Sequence, residues 1–166
     1  GEEPTDFWSE GAGIVQAREV GSMFPAEVLA MPGAHNLQNL LLVTAAATQI
    51  GLTAEQIAQG LESFPGVPHR LERLGSIASA DVFNDSKATN YDAAAVGLQA
   101  MAGTVVVLAG GQTKRGDATV WLNELNLKAC AVVLFGAGAE ELDALIRQSS
   151  YQGQVHRCND LRAAVA

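Results

Sequence analysis

The greatest density of chemically useful side chains lies in residues 84–90, which read Asn-Asp-Ser-Lys-Ala-Thr-Asn. This short segment carries an acid, a base, two hydroxyls and two carboxamides. It follows an apolar pair, residues 82–83, that is typical of a strand end, and it precedes residues 91–96, which are typical of a helix start. Strand carboxyl ends in open α/β sheets often bind ligands, and helix N-termini favour anions. The segment therefore suits a phosphate or a carboxylate, although a polar loop that ends in an Asn N-cap would also explain it.

A second candidate is Lys114, in the segment Gly-Gly-Gln-Thr-Lys at residues 110–114. The two glycines would let the backbone approach a ligand closely, and the lysine offers a point charge for a carboxylate. The segment is not a Walker A loop, because the pattern Gly-x-x-x-x-Gly-Lys-Ser/Thr is missing. A solvated turn at residues 114–117 that caps the next helix explains the same residues equally well.

The elements that must position these segments alternate along the chain after residue 66. The sequence predicts strands at residues 82–83, 104–109, 129–135 and 154–157, and helices at 91–101, 117–125, 139–148 and from 160 onward. The apolar runs at 104–109 and 129–135 are typical of buried parallel strands. This alternation predicts an α/β fold with a Rossmann-like, mostly parallel sheet flanked by helices.

The first part of the chain has a different pattern. Helices are predicted at residues 36–49 and 53–63, with Asn36 and Thr53 as N-caps and Gln56 completing a capping box. Residues 64–68, Phe-Pro-Gly-Val-Pro, cannot lie inside a helix, so they divide the chain into domains at 1–66 and 67–166. Short strands are possible at 12–15 and 26–29, but we expect too few strand residues for an independent sheet.

Composition excludes several classes of protein. With 48% hydrophobic residues in 166, the chain is globular rather than disordered. A net charge of −8 without a Lys/Arg cluster argues against a nucleic-acid partner. No apolar run reaches about 18 residues, so no membrane span is predicted. Two cysteines are too few for a disulfide framework and lack metal-site spacing, which indicates a reducing, cytoplasmic compartment. Cys130 lies in an apolar run and is expected in the core.

Four segments together resemble motifs of the Mur ligase family, in the family's order. They are residues 33–36 (Gly-Ala-His-Asn), residues 64–72, residues 84–90 and residues 110–114. The resemblance extends from about residue 30 to residue 166 and is closest to the family members that add D-glutamate. It implies that residues 1–66 are the end of a central ATP-binding domain and that residues 67–166 form the Rossmann-like C-terminal ligase domain.

The resemblance also implies a reaction. ATP would phosphorylate the carboxylate of UDP-N-acetylmuramoyl-L-alanine, and the amine of D-glutamate would attack the resulting acyl phosphate. Asn36, Arg70 and Asp85 would bind ATP, with Asn36 at the adenine. Lys87 would be a catalytic residue near the transferred phosphoryl group.

The amino-acid site follows from the same comparison of motifs, with Thr89 and Lys114 as the residues that bind D-glutamate. The ligands of Mg²⁺ are expected upstream of this chain, and no metal site is predicted within it. We further expect a monomer that binds only small molecules, a hinge at residues 64–70, and no ligase activity from this chain alone.

Two alternatives stay open at this point. The first is another Mur-type ligase or a folylpolyglutamate synthetase. The second is an α/β binding module without catalysis.

Overall fold

A computed structural model describes residues 6–9, 13–112 and 116–166. Contacts within the chain define two compact units, Gly1–Glu72 and Arg73–Ala166. The division lies close to the boundary that the sequence predicts between residues 66 and 67. The domain identities assigned to the two parts stay a prediction.

The first unit begins with a sheet that the sequence analysis did not expect. Its strands are β1 (Phe7–Ser9), β2 (Ile14–Ala17) and β3 (Gly21–Pro25), antiparallel in the order β1-β2-β3. Val15 of β2 is opposite Phe24 of β3, and both side chains are buried. The strand predicted at residues 26–29 is wrong, since a 3₁₀ helix occupies Ala26–Val28. Pro25, which has no N–H for a sheet hydrogen bond, ends the strand just before it.

Two helices complete this unit, α1 (Ala34–Gln49) and α2 (Ala54–Glu62). The capping box predicted at the start of α2 is confirmed. The Gln56 N–H donates to Thr53 Oγ1 over 3.3 Å, and the Thr53 N–H donates to Gln56 Oε1 over 2.9 Å. Leu40 of α1 and Ile57 of α2 join the strand residues in one buried apolar cluster.

The second unit starts with a two-stranded sheet made of β4 (Glu72–Ile77) and β5 (Ala80–Asn84). Ala78 and Ser79 connect the strands with φ values of 47° and 72°, as a two-residue primed hairpin turn requires. The strand predicted at residues 82–83 is therefore present, but it pairs with β4, which the sequence analysis missed. The turn lacks the Asn-Gly or Asp-Gly pair that normally reveals such a hairpin.

A three-stranded parallel sheet forms the centre of the second unit. Its strands are β6 (Val105–Gly110), β7 (Ala129–Phe135) and β8 (Gln154–Arg157), in the order β6-β7-β8. The helices are α3 (Tyr91–Gln99), α4 (Thr119–Lys128), α5 (Ala139–Arg147) and α6 (Leu161–Val165). The predicted α/β class, with a parallel sheet flanked by helices, is confirmed. No helix in the described ranges has the length and apolar character needed to cross a membrane.

The two faces of this sheet differ in burial. Val105 and Val107 face the core that contains Trp121, whereas Val106 and Leu108 on the other face are 55% and 40% exposed. The apolar run at residues 104–109 predicted a strand buried on both faces, but β6 is buried on one face only.

The expectation that Cys130 lies in the core is wrong, because Cys130 is exposed. Val105 and Val106 pair with Ala129 and Ala131, so Cys130 is the extra residue of a β-bulge and has no partner in β6. The bulge interrupts the alternation of β7 and leaves the thiol 3.4 Å from the carbonyl oxygen of Val105.

Tyr151 lies beside this bulge. Its hydroxyl is buried and has no hydrogen-bond partner in the described parts of the chain. A Cβ at Gly153 would overlap that hydroxyl and approach the Cys130 carbonyl oxygen. Burial raises the pKa of Tyr151, and the nearby Cys130 thiol adds to the effect. Only glycine fits at position 153 beside the Tyr151 side chain. The Tyr151 hydroxyl makes no hydrogen bond within the described residues.

We predict that Tyr151→Phe leaves the free energy of unfolding unchanged or raises it by up to about 1 kcal/mol, because it removes an unpaired buried polar group. Gly153→Ala should lower the same quantity by more than about 1 kcal/mol through overpacking. Urea unfolding followed by circular dichroism measures both changes. A clear loss of stability in Tyr151→Phe would show that the hydroxyl is hydrogen-bonded in solution.

Candidate functional site

The backbone of residues 84–90 is fixed by its own asparagines. Asn84 Oδ1 accepts a hydrogen bond from the Ser86 N–H over 3.1 Å. The Asp85 carbonyl accepts one from the Ala88 N–H over 2.8 Å. Asn90 Oδ1 accepts the Ala93 N–H over 2.8 Å, so the Asn N-cap of the alternative interpretation is present at the start of α3. The carboxamides of this turn therefore have structural roles.

The charged and hydroxyl side chains of the same turn are differently placed. Lys87 and Thr89 are exposed, and within the described chain neither side chain has a hydrogen-bond or ion-pair partner. Asp85 is half-buried and interacts within the protein. The structure thus places Asp85, Lys87 and Thr89 on one ordered turn, where the amine and the hydroxyl of the last two are accessible to a ligand.

The loop after β6 leaves the sheet at a crowded junction. Gly110 is opposite Phe135, and a Cβ at Gly110 would lie 2.5 Å from the phenylalanine ring and 2.6 Å from its carbonyl oxygen. Gly111 has a φ of 98°, and its carbonyl accepts the Gly138 N–H over 2.7 Å. Both glycines are therefore required by geometry. Lys114 lies outside the described residues, so its assignment to the site stays a prediction.

The loop re-enters the described structure at Gly116. The Asp117 carboxylate accepts hydrogen bonds from the Thr119 N–H over 2.9 Å and from the Thr119 hydroxyl over 2.6 Å, and these bonds lower the pKa of Asp117. Asp117 thus supports the start of α4, as the alternative interpretation of this loop proposed.

In the first unit, the role predicted for Asn36 as an N-cap is wrong. Gly33 is the N-cap of α1, with a φ of 102° that favours glycine, so the helix begins two residues earlier than predicted. Asn36 is only 3% exposed, and its Nδ2 donates to the Pro32 carbonyl over 2.7 Å. The motif at residues 33–36 therefore has a local structural explanation: glycine sets the turn, and asparagine satisfies the carbonyl before it.

Arg70 is exposed and lies in a segment with unusual backbone geometry. Gly66, His69 and Leu71 have φ values of 85°, 65° and 45°. The Glu72 carboxylate accepts the His69 N–H over 2.8 Å. Left-handed backbone is uncommon for residues other than glycine and is often found at functional sites.

The described side chains do not form a metal site. In residues 6–9, 13–112 and 116–166, no group of three His, Cys, Asp or Glu side chains is arranged to hold a metal ion. The side chains in these ranges therefore do not fit a Mg²⁺ site.

The structure brings only part of the predicted site together. Asp85, Lys87 and Thr89 share a turn of the second unit, whereas Asn36 and Arg70 belong to the first unit. Sequence reasoning missed Tyr91, the first residue of α3, whose ring packs against Trp121 and beside Gly116. An aromatic residue directly after a polar turn was the available clue.

The family description "Mur ligase, glutamate ligase domain" matches residues 69–166. The chain belongs to the Mur ligase family. The match begins next to Arg70 and contains the turn at residues 84–90 and the loop after β6.

Known relatives agree with this family. Over 163 residues the chain is 86% identical to the UDP-N-acetylmuramoylalanine–D-glutamate ligase of Synechococcus sp. (strain CC9902). It is 67% identical over 162 residues to the protein of the same name from Parasynechococcus marenigrum (strain WH8102). Each comparison covers 98% of this chain and 35% of the relative. The chain thus spans about a third of the length of these relatives.

Solved structures share the fold at lower identity. The folylpolyglutamate synthase of Mycobacterium tuberculosis, complexed with ADP, superposes with a TM-score of 0.70 at 21% identity and covers 96% of this chain and 38% of its own. The UDP-N-acetylmuramate–alanine ligase of Thermotoga maritima gives 0.64 at 19% identity, over 89% and 34% of the two chains. These similarities support the architecture of the Mur ligase fold alone.

The structural role of Asn36 predicts that Asn36→Ala lowers the free energy of unfolding by about 1–2 kcal/mol, since the Pro32 carbonyl loses its partner. The matched control is Asn39→Ala, an exposed neighbour whose amide makes only a 3.5 Å contact with Asn36. We expect it to change stability by less than about 0.5 kcal/mol. Equal effects of the two substitutions in urea unfolding would contradict the structural role.

Proposed function

We propose that this chain is part of an ATP-dependent ligase that joins D-glutamate to UDP-N-acetylmuramoyl-L-alanine in peptidoglycan synthesis, a step that cell shape and division require. The observation that carries this proposal is the 86% identity, over 163 residues, to a relative that bears this activity in its name. The identity favours a D-glutamate ligase over another Mur-type ligase, over a folylpolyglutamate synthetase and over a binding module without catalysis.

The proposed chemistry has two steps. A carboxylate oxygen of the acceptor takes the terminal phosphoryl group of ATP, which gives an acyl phosphate and ADP. The amine of D-glutamate then attacks the acyl carbon, loses a proton, and phosphate leaves as the amide forms. Lys87 is the catalytic residue of this proposal, because its exposed amine can stabilise negative charge that develops on the transferred phosphoryl group.

Thr89 and Lys114 are the proposed D-glutamate ligands. The Thr89 hydroxyl is accessible two residues from Lys87 on the same turn, which supports a D-glutamate contact close to the proposed phosphoryl contact. Lys114 supplies the positive charge that a carboxylate needs.

Asn36, Arg70 and Asp85 are the proposed ATP contacts. Arg70 offers an exposed guanidinium. The Asn36 amide nitrogen already bonds to Pro32, so an adenine contact would have to use the remaining capacity of that side chain. Mg²⁺ would accompany ATP, with its protein ligands in other parts of the longer polypeptide. Free cysteines are in keeping with the proposed cytoplasmic location, and we propose that the enzyme is a monomer.

The first test uses the full-length gene product, because the relatives are about three times as long as this chain. Phosphate release with UDP-N-acetylmuramoyl-L-alanine and ATP is measured with D-glutamate, L-lysine, meso-diaminopimelate or L-alanine. We expect release with D-glutamate alone. We also expect Lys114→Ala to raise the KM for D-glutamate, while Arg162→Ala, exposed on α6, changes nothing. Release with a different amino acid would reassign the substrate, and none with any would reject the ligase.

The role of Lys87 predicts a different kinetic change. Lys87→Ala should lower kcat about 100-fold or more, because it removes charge stabilisation of the transition state, while the KM for D-glutamate changes little. A normal kcat would remove Lys87 from the catalytic step.

The 166-residue chain alone should release no phosphate, since it contains no Gly-x-x-x-x-Gly-Lys-Ser/Thr motif. Product from the isolated chain would contradict this assignment of the missing ATP-binding elements.

A further inference from the structure

Tyr91 lies between the polar turn at residues 84–90 and the described residues just before α4. It directly follows Asn90, the last residue of the turn, and begins α3. Its half-buried ring lies 5.4 Å from the ring of Trp121 between centroids, at an interplanar angle of 36°. Trp121 is 4% exposed and belongs to the core of the second unit. The start of α3, and with it the end of the turn, is therefore held against a fixed part of the core.

The same ring meets the far end of the loop that contains Lys114. A Cβ at Gly116 would lie 3.7 Å from Tyr91 Cδ2, which is van der Waals distance, so the backbone of Gly116 passes directly beside the ring. Tyr91 and residues 116–119 also line one cavity of about 490 Å³. Tyr91 is thus next to both segments at once.

The near end of that loop is held independently. Gly110 packs against Phe135, and the Gly111 carbonyl accepts the Gly138 N–H. Gly110 and Gly111 are thus held against β7 and the residues after it, and Gly116 lies beside Tyr91. Tyr91 is a described contact between the start of α3 and Gly116.

We propose that Tyr91 is a positioning residue for the amino-acid site, which sets the separation between the turn at residues 84–90 and Gly116, just before α4. The inference depends on the proposed function, because Thr89, on that turn, and Lys114, two residues before Gly116 in the chain, have proposed roles as D-glutamate ligands. Tyr91 itself acts through its ring and makes no contact with the reacting atoms.

The ring rather than the hydroxyl should carry this role. Burial raises the pKa of Tyr91, and the negative charge of Glu141 adds to the shift, so the phenol stays neutral across the physiological range. Ring atoms of Tyr91 face both Trp121 and the backbone of Gly116. Tyr91→Phe keeps these contacts, whereas Tyr91→Ala and Tyr91→Leu remove the aromatic ring.

The kinetic test compares these variants in the full-length enzyme. For Tyr91→Ala and Tyr91→Leu we expect the KM for D-glutamate to rise about tenfold and the KM for ATP to stay within about twofold, since misplaced ligands weaken binding of one substrate. Tyr91→Phe should restore the KM for D-glutamate to within about twofold of wild type. Val120→Ala, exposed on α4, is the surface control. Parallel changes in both KM values, or none, would overturn the positioning role.

A second measurement on the 166-residue chain does not depend on the reaction. In ¹H–¹⁵N spectra, the Gly116 amide should lose its ring-current shift in Tyr91→Leu and keep it in Tyr91→Phe. An unchanged Gly116 signal in Tyr91→Leu would show that the contact is absent and reject the inference. If wild-type enzyme failed to use D-glutamate while this contact was observed, the proposed function would fail and the packing arrangement would stand.

Discussion

The second unit depends on the close approach of β6 and β7 at their carboxyl ends. Gly110 has no room for a side chain beside Phe135, and the Gly111 carbonyl is bonded to the Gly138 N–H across the two loops. The ends of parallel strands are where an α/β sheet offers space for ligands. In this unit, the backbone of Gly110 and Gly111 is in direct contact with Phe135 and Gly138 at that edge of the sheet. The chain therefore leaves β6 in a direction that Gly110 and Gly111 fix.

The polar turn at residues 84–90 is fixed by side chains rather than by backbone contacts between strands. Its asparagines, Asn84 and Asn90, bond to backbone N–H groups, whereas Lys87 and Thr89 are left without protein partners in the part of the chain described. A turn held by Lys87 or Thr89 could not offer the same groups to a substrate. The separation of these roles explains why so many polar residues occur together. The Asn N-cap of the alternative interpretation is present, and it leaves Lys87 and Thr89 accessible, as the proposed function requires.

Local signals in the sequence predicted much of the second unit. The limits of β7 and β8, the capping box of Thr53 and the N-cap of Asn90 agree with the structure, because each follows from residues close in the chain. The failures have non-local causes. Cys130 is exposed because pairing with β6 creates a bulge, and Asn36 is buried because Gly33 starts α1 early. For the candidate site, motif spacing located the turn, but it could not reveal that Tyr91 packs beside Gly116.

Charge explains why such fixed placement matters for the proposed reaction. D-glutamate, ATP and the acceptor are all anions, while the chain has a net charge of −8. Attraction must therefore come from a few local cations rather than from the overall field of the protein. The interaction of exposed charges is weakened by water and by salt over distances of about 10 Å, so a lysine a few ångströms out of position loses much of its effect. A site with few cations in an acidic protein consequently needs backbone that holds each cation in place. In this chain, asparagine side chains fix the turn that carries Lys87, and the Tyr91 ring packs the end of that turn against the core.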